Sequence, residues 1–367
     1  MSEWKEYRLA DIATLIGDGL HGTPIFDNFG TYYFVNGNNL YQGHIVIKPD
    51  TKLVNKEQYE LYKKPLSNRT ILLSINGTIG NIAKYAGEKC ILGKSACFIN
   101  VTNEVDRDFV YYILCSPKFL FDITNNANGS TIKNVSLKQI REYQIKLPTL
   151  VEQQKIAGIL LALDEKIETN RKINARLEEL AQTIFKSWFI DNAVYENSTI
   201  ADFFLPIRGK SLLTSDAKLG EVPVVAGGLT PATYHNKSNT KAPVITISAS
   251  GANAGFVNIW GCPVWSSDSS FIDNSITPYV YFWYSLLKYY QKIIYHSQTG
   301  CAQPHIYPKH IGNINIPCIE DRKMEIFEKV VTPLFEKLFE NKKESARLAT
   351  LRDTLLPKLM SGELIPE

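Results

Sequence analysis

Read from Ile156 in alternating steps of four and three, the chain returns apolar residues at Ile156, Leu160, Leu163 and Ile167, polar ones at Asn170 and Asn174, then Leu177, Ala181, Ile184 and Trp188. An apolar spacing of 3.5 held over several heptads predicts a helix that lays one seam against a partner helix. Adding 171 to each position gives Phe327, Val331, Leu334, Leu338, Asn341, Ser345, Leu348, Arg352, Leu355 and Leu359, so the seam recurs with its polar centre. Two such helices in one chain pack most simply on each other, each seam running roughly 50 Å at 1.5 Å per residue. In an antiparallel pair, pseudo-twofold symmetry opposes Asn174 to Asn341 and Asn170 to Ser345, a polar layer that costs stability and fixes register. A globular domain then sits at the N-terminal end of each helix, at opposite ends of the pair. Pro333 stands where the first helix has Ala162 and predicts a kink or a helix start, because proline lacks the donor and crowds the preceding turn.

The segments before the two helices repeat as well. An apolar run enters a glycine-rich turn at Leu72-Leu73-Ser74-Ile75-Asn76-Gly77-Thr78-Ile79-Gly80, and again at Ile245-Thr246-Ile247-Ser248-Ala249-Ser250-Gly251-Ala252-Asn253-Ala254-Gly255. Gly129 to Ile140 aligns with Gly300 to Ile311 at the same offset of 171, and Leu147-Pro148 and Ile316-Pro317 close each domain. The aromatic stretches Asp108 to Phe121 and Pro278 to Ile293 are each predicted to be one core helix. The expected fold is α/β (α+β), with two globular domains separated by a long antiparallel two-helix coiled coil in an internal pseudo-twofold repeat. Its boundaries are residues 1–147, a spacer helix at 148–190, residues 191–316, and a second spacer helix with a tail at 317–367.

The length of 367 residues suits two domains, and 44% hydrophobic with 21% charged residues is the balance of an ordinary globular protein. Net charge is only +3; residues 1–147 carry 17 Lys/Arg against 14 Asp/Glu and residues 191–316 carry 8 against 7, so any nucleic-acid face must be a local arrangement of charge. Cys90, Cys97, Cys115, Cys262, Cys301 and Cys318 are scattered, with no C-x-x-C pair, and are expected to be reduced and mostly buried. Without a basic start, a leader-like apolar run or an 18-residue apolar stretch, the expected location is cytoplasmic, with no membrane contact.

Recognisable catalytic chemistry is missing. Gly87 to Ser95 imitates a phosphate-binding loop but has five residues between its glycines where that geometry needs four, and it lies between apparent strands. No cofactor loop follows a strand, no Asn-Pro-Pro-Tyr or Asp-Pro-Pro-Tyr run could hold a flipped base, and Pro49-Asp50 lacks a nuclease partner. The six histidines stand singly. No catalytic residue, metal site or cofactor is expected.

The run from Leu147 through Glu152-Gln153-Gln154 and Asp164 to Trp188-Phe189 closely resembles the central region of specificity subunits of type I restriction-modification systems, and Leu355 to Leu364 resembles that family's closing motif. Gly17-Asp18-Gly19-Leu20-His21-Gly22-Thr23-Pro24 and the paired turns resemble its target-recognition domains. The second helix departs from the pattern: no Glu-Gln-Gln run opens it, and Phe335 replaces the equivalent of Asp164.

The resemblance implies a non-catalytic, sequence-specific DNA-binding subunit. Each domain would take half of a bipartite double-stranded target, while the helices set the spacing and dock two methyltransferase subunits, with restriction subunits joining through the complex. Methyl donor and ATP would bind those partners and not this chain. Short polar side chains on glycine-rich turns, with lysines nearby for phosphate, are the expected DNA contacts. They are Asn76, Thr78, Asn81, Lys94, Ser130, Thr131, Lys133 and Asn134 in the first domain, and Ser250, Asn253, Ser269, Gln303, His305, Tyr307 and Lys309 in the second; His21 and Thr23 are weaker candidates. The competing expectations are a protein-binding scaffold and a stand-alone restriction or modification enzyme.

Overall fold

The computed structural model describes residues 4–127, 133–300 and 303–364. It divides into two compact units, Met1–Lys166 with Arg347–Glu367, and Ile167–Ala346.

In the first unit, β1 (Ala13–Asp18), β2 (Thr70–Ser74), β3 (Ile82–Lys84) and β4 (Ala96–Val101) form an antiparallel sheet in the order β1-β4-β2-β3. Every residue of β2 and β4 is buried, and strand alternation divides their side chains between two layers. Ile71 and Leu73 meet Phe109, Val110 and Phe119 of the helices, whereas Leu72 and Phe98 meet Val35, Leu40 and Leu92 of a small second sheet. A strand covered on both faces reads as a continuous apolar run. In the small sheet, Tyr32–Val35 pairs parallel with Cys90–Leu92 and antiparallel with Leu53–Val54.

The second unit repeats this plan. β5 (Ile207–Arg208), β6 (Val244–Ser248), β7 (Val257–Trp260) and β8 (Ser269–Asp273) lie in the order β5-β8-β6-β7. Ile245 and Ile247 face the helices, Val244 and Phe271 face Val225 and Val264, and Val222–Val225 pairs parallel with Trp265–Ser266.

Neither aromatic stretch is one helix. The first divides into α1 (Arg107–Cys115) and α2 (Pro117–Asn125) because Ser116 ends one and caps the other, its side chain accepting the Phe119 N–H with Pro117 in the first turn. α4 (Val280–Tyr289) and α5 (Gln291–His296) divide at Tyr290, whose ψ of 9° leaves the helix; Gln291 then spends its side-chain amide on the backbone of Gly255 and Val257.

The long helices are α3 (Leu150–Phe189) and α6 (Asp321–Ser361). In the second unit Asn170 meets Ser345 and Asn174 meets Asn341, so partner numbers fall as helix numbers rise and the pairing is antiparallel, in the expected register. In the first unit Ile156 and Leu160 share a core with Leu356 and Leu359. α6 begins at Asp321, so a start at Pro333 is ruled out. Pro333 is exposed, and the carbonyl that loses its donor belongs to the exposed Lys329, where water can serve it; buried Phe327, Val331, Phe335 and Leu338 hold the helix on either side.

The seam also drifts. Trp188 is 43% exposed, and Ala181, Phe185 and Phe189 are the buried positions at that end. A straight helix turns about 20° per heptad relative to a 3.5 repeat, so over four heptads the inward face advances by roughly one residue. Phe185 and Phe189 then pack with Phe282 and Phe327 at centroid distances of 5.0–5.9 Å.

The cysteines are less buried than expected. Cys90 and Cys97 are buried and Cys115 half-buried, but Cys262, in a Gly-Cys-Pro turn, and Cys318, before α6, are exposed; Cys301 lies outside the described residues. The five described thiols are free. Gly93-Lys94-Ser95 runs into β4 and not a helix, so the phosphate-loop imitation is a strand connection. Among the described residues, no helix is long and apolar enough to cross a membrane.

Candidate nucleic-acid interface

Where β2 leaves the first sheet, the chain makes a narrow loop. Gly80 N–H donates to Ser74 O and Ser74 N–H to Asn81 O, closing the base, while Gly77 (φ +76°) and Gly80 (φ +93°) adopt the left-handed backbone that glycine tolerates. The tip is joined to a second segment: Gly77 N–H donates to Lys133 O, Val135 N–H to Ile75 O, and Asn76 bridges Asn134.

The second unit makes the same bonds. Gly255 N–H donates to Ser248 O, Gly251 N–H (φ +79°) to Pro304 O, and Ile306 N–H to Ala249 O, while Ser250 bridges His305. Backbone anchors also recur, with Ile75 N–H on Ser95 O and Ala249 N–H on Asp268 O. The same frame therefore carries Asn76 and Asn134 in one unit, and Ser250 and His305 in the other.

Asn76, Lys94 and Asn134 line one cleft with Asp18, His21 and Ser136. Asn76 also borders a second cleft with Thr78, Asn36, Asn38 and Ser95. Lys94 and Lys133 are exposed, as is Thr23. Asn81 turns inward and donates to the Gly37 carbonyl at 3.4 Å, so its side chain braces the loop base instead of facing outward. Ser130 and Thr131 lie outside the described residues.

In the second unit Gln303, Tyr307 and Lys309 are exposed, and the Tyr307 ring stacks at 19° on His305, 6.1 Å away. Lys309 and His310 lie in a short helix, Pro308–Gly312; the His310 pKa is lowered by burial and then by the Lys309 charge, and its Nδ1 accepts the Tyr307 N–H. Asn253 is half-buried, and its carbonyl accepts the Phe256 N–H. Ser269 is fully buried, its hydroxyl 2.8 Å from that of Ser266 and donating to Val225 O, so it ties two sheets together and reaches no surface.

Two features of these surfaces escaped the sequence reading. Asp18 ends β1, where it pairs with Cys97, and its carboxylate lies 2.7 Å from His21 Nε2. At the matching place in the second sheet stands Arg208, opposite Ser270, with its guanidinium 2.6 Å from Asp268. The available signal was the glycine after each. A Cβ on Gly19 would lie 2.1 Å from Leu92 O, and one on Gly209 2.5 Å from Ser266 O, so Asp18-Gly19 and Arg208-Gly209 are the same structural dipeptide.

A sheet whose central strands are buried on both faces and a glycine-anchored polar loop, each present twice, together with one antiparallel pair of long helices, define a repeat protein that carries different polar side chains on one backbone frame. Residues 1–179 match the family described as the Type I restriction modification DNA specificity domain. Over 419 aligned positions the chain is 24% identical to the type I restriction enzyme MjaIX specificity subunit of Methanocaldococcus jannaschii, covering 99% of this chain and 94% of that one. It is 26% identical over 239 positions to the HindI specificity subunit of Haemophilus influenzae, covering 62% and 48%. The crystal structure of a type I restriction-modification S subunit from M. genitalium matches over 100% of this chain and 97% of its own, with a TM-score of 0.61 and 22% identity, and shows the same fold. The chain is similar to type I restriction-modification specificity subunits along its whole length, and residues 1–179 carry that family's DNA specificity domain.

Proposed function

We propose that this chain is the non-catalytic DNA-reading subunit of a type I restriction-modification complex. Each unit takes one half of a split double-stranded target. The paired helices set the interval between the halves and dock two modification subunits, and any restriction subunits join through that assembly. Neither methyl donor nor ATP is held by this chain.

The observation that carries this reading is the repetition of one backbone frame with different side chains on it. Asn76 and Asn134 in one unit, and Ser250 and His305 in the other, sit on the same hydrogen bonds. Equal frames with unequal polar tips suit two sites of one geometry and two specificities, since base edges are distinguished by their donor and acceptor patterns.

Co-expression with its modification subunits, followed by methylation mapping of the host genome, tests this. A split motif of two unequal words is expected, together with no methylation by the isolated chain. Turnover by the chain alone, or DNA binding by the complex that ignores sequence, would exclude it.

A further inference from the structure

We propose that Arg208 reads a guanine in the half-target taken by the second unit and that Asp268 is its positioning residue, a role that rests on the DNA-reading function proposed above. Arg208 closes the edge strand β5, and its Nη2 lies 2.6 Å from Asp268 Oδ1. The other carboxylate oxygen of Asp268 accepts the Ser250 hydroxyl, and the Asp268 carbonyl accepts the Ala249 N–H. One aspartate thus ties the guanidinium to the polar loop that meets His305.

The side chains of Arg208 and Asp268 are 41% and 37% exposed, and an ion pair at that exposure contributes little to folding. Its larger effect is on direction. With one donor engaged by Asp268, the planar fork keeps further N–H groups for a ligand, and two parallel donors match O6 and N7 of guanine in the major groove.

The first unit shows that the fold does not require an arginine here. The same strand end carries Asp18, an acceptor paired with His21, on a sheet of the same strand order. Position 95, the counterpart of Asp268, is Ser95, whose hydroxyl donates to Asn36 and accepts the Gly37 N–H. One frame therefore carries a donor in one unit and an acceptor in the other, beside the loop that also differs. That is the behaviour of a specificity position.

The test uses the full chain in complex with its modification subunits, comparing the native complex with R208Q, R208K and D268N by genome-wide methylation mapping. The native split motif should contain a guanine in the second word that becomes degenerate in R208Q and R208K, with the first word and the interval unchanged and discrimination at that base falling roughly ten- to hundredfold. D268N should relax the same base, which a purely structural aspartate would not do. R208K retains charge without the fork, and thermal unfolding of each variant separates lost reading from lost folding. A split native motif kept intact by folded R208Q, or weakened evenly at every base, overturns the proposal alone. A native complex that marks no split motif overturns the DNA-reading function as well.

Discussion

Asn341 Nδ2 donates to Asn174 Oδ1 at 2.9 Å, an amide pair within a seam that is otherwise largely apolar. Asn174 also donates to Leu338 O, and Asn170 donates to Ser345 and Glu344. A buried polar layer is weaker than the leucines that could replace it, but its amide pair forms in one alignment only. The double variant N174L/N341L is expected to raise the thermal midpoint while loosening helix register, and N174L alone to lower it by leaving Asn341 without its main partner. Thermal unfolding of the three chains decides the sign.

Within the first unit, Asp164 accepts Arg352 Nη1 at 2.6 Å and the Tyr112 hydroxyl at 2.7 Å. Burial, followed by the Asp164 charge, pushes the Tyr112 phenol well above its usual range. Truncating Arg352 leaves a half-buried carboxylate facing that phenol, and R352A should cost about 1–3 kcal/mol in denaturant unfolding. D164N/R352A should recover part of this; if the double variant is as unstable as the two losses summed, the residues are uncoupled.

Glu328 on α6 accepts the N–H groups of Tyr281 (3.0 Å) and Phe282 (2.8 Å) and caps α4 from outside. Burial nevertheless raises its carboxyl from 4.5 to about 7, outweighing the donors that favour the charged form. A raised acid binds its proton more tightly in the folded state, so its contribution is complete below the unfolded value of 4.5 and is lost as pH rises through about 7. Unfolding of E328Q beside the native chain at about pH 5 and about pH 8 should show stability shifting toward the variant at the higher pH. An unchanged difference would mean that the carboxyl titrates alike in both states.

The loop glycines separate backbone strain from crowding. A Cβ at Gly77 or Gly251 meets nothing within 4 Å, so only their positive φ resists substitution. G77A is therefore expected to cost about 1 kcal/mol, and G77N less, because asparagine enters that region more readily. G19A forces a Cβ against Leu92 O and should destabilise the first unit far more. Similar unfolding midpoints for G77A and G19A would contradict both explanations.

Lys133 is exposed where its carbonyl anchors the Gly77 loop. If it serves phosphate, K133A should weaken DNA binding by the assembled complex on every sequence and lower the slope of log affinity against log salt by about 1. Loss confined to one target sequence would make Lys133 a base contact.

The polar layer was legible in the sequence because a seam is periodic and asparagines at its centre have few roles. Trp188 was misplaced because a fixed 3.5 step ignores the accumulating turn of a straight helix. Asn76, Lys94 and Asn134 could be found from polar residues beside glycine turns, and the structure brings them to one cleft. Ser269 has the same local appearance, but its hydroxyl is consumed between two sheets. Asp18 and Arg208 were hidden by arithmetic: they differ by 190 positions and Ser95 and Asp268 by 173, so insertions break the single offset of 171. The Asp164–Tyr112 bond and the Glu328 cap join residues 52 and 46–47 positions apart, which no local pattern announces.

The alternation along β2 has a consequence for how such a protein can change over generations. Ile71, Leu72 and Leu73 are committed to two apolar layers, and three residues later the chain emerges as Asn76, whose side chain belongs to neither. The boundary between what must stay fixed and what is free to vary falls within a few residues of one strand. A mutation beyond that boundary can alter what the surface recognises while leaving folding untouched, so a lineage can acquire a new vocabulary without relearning its grammar.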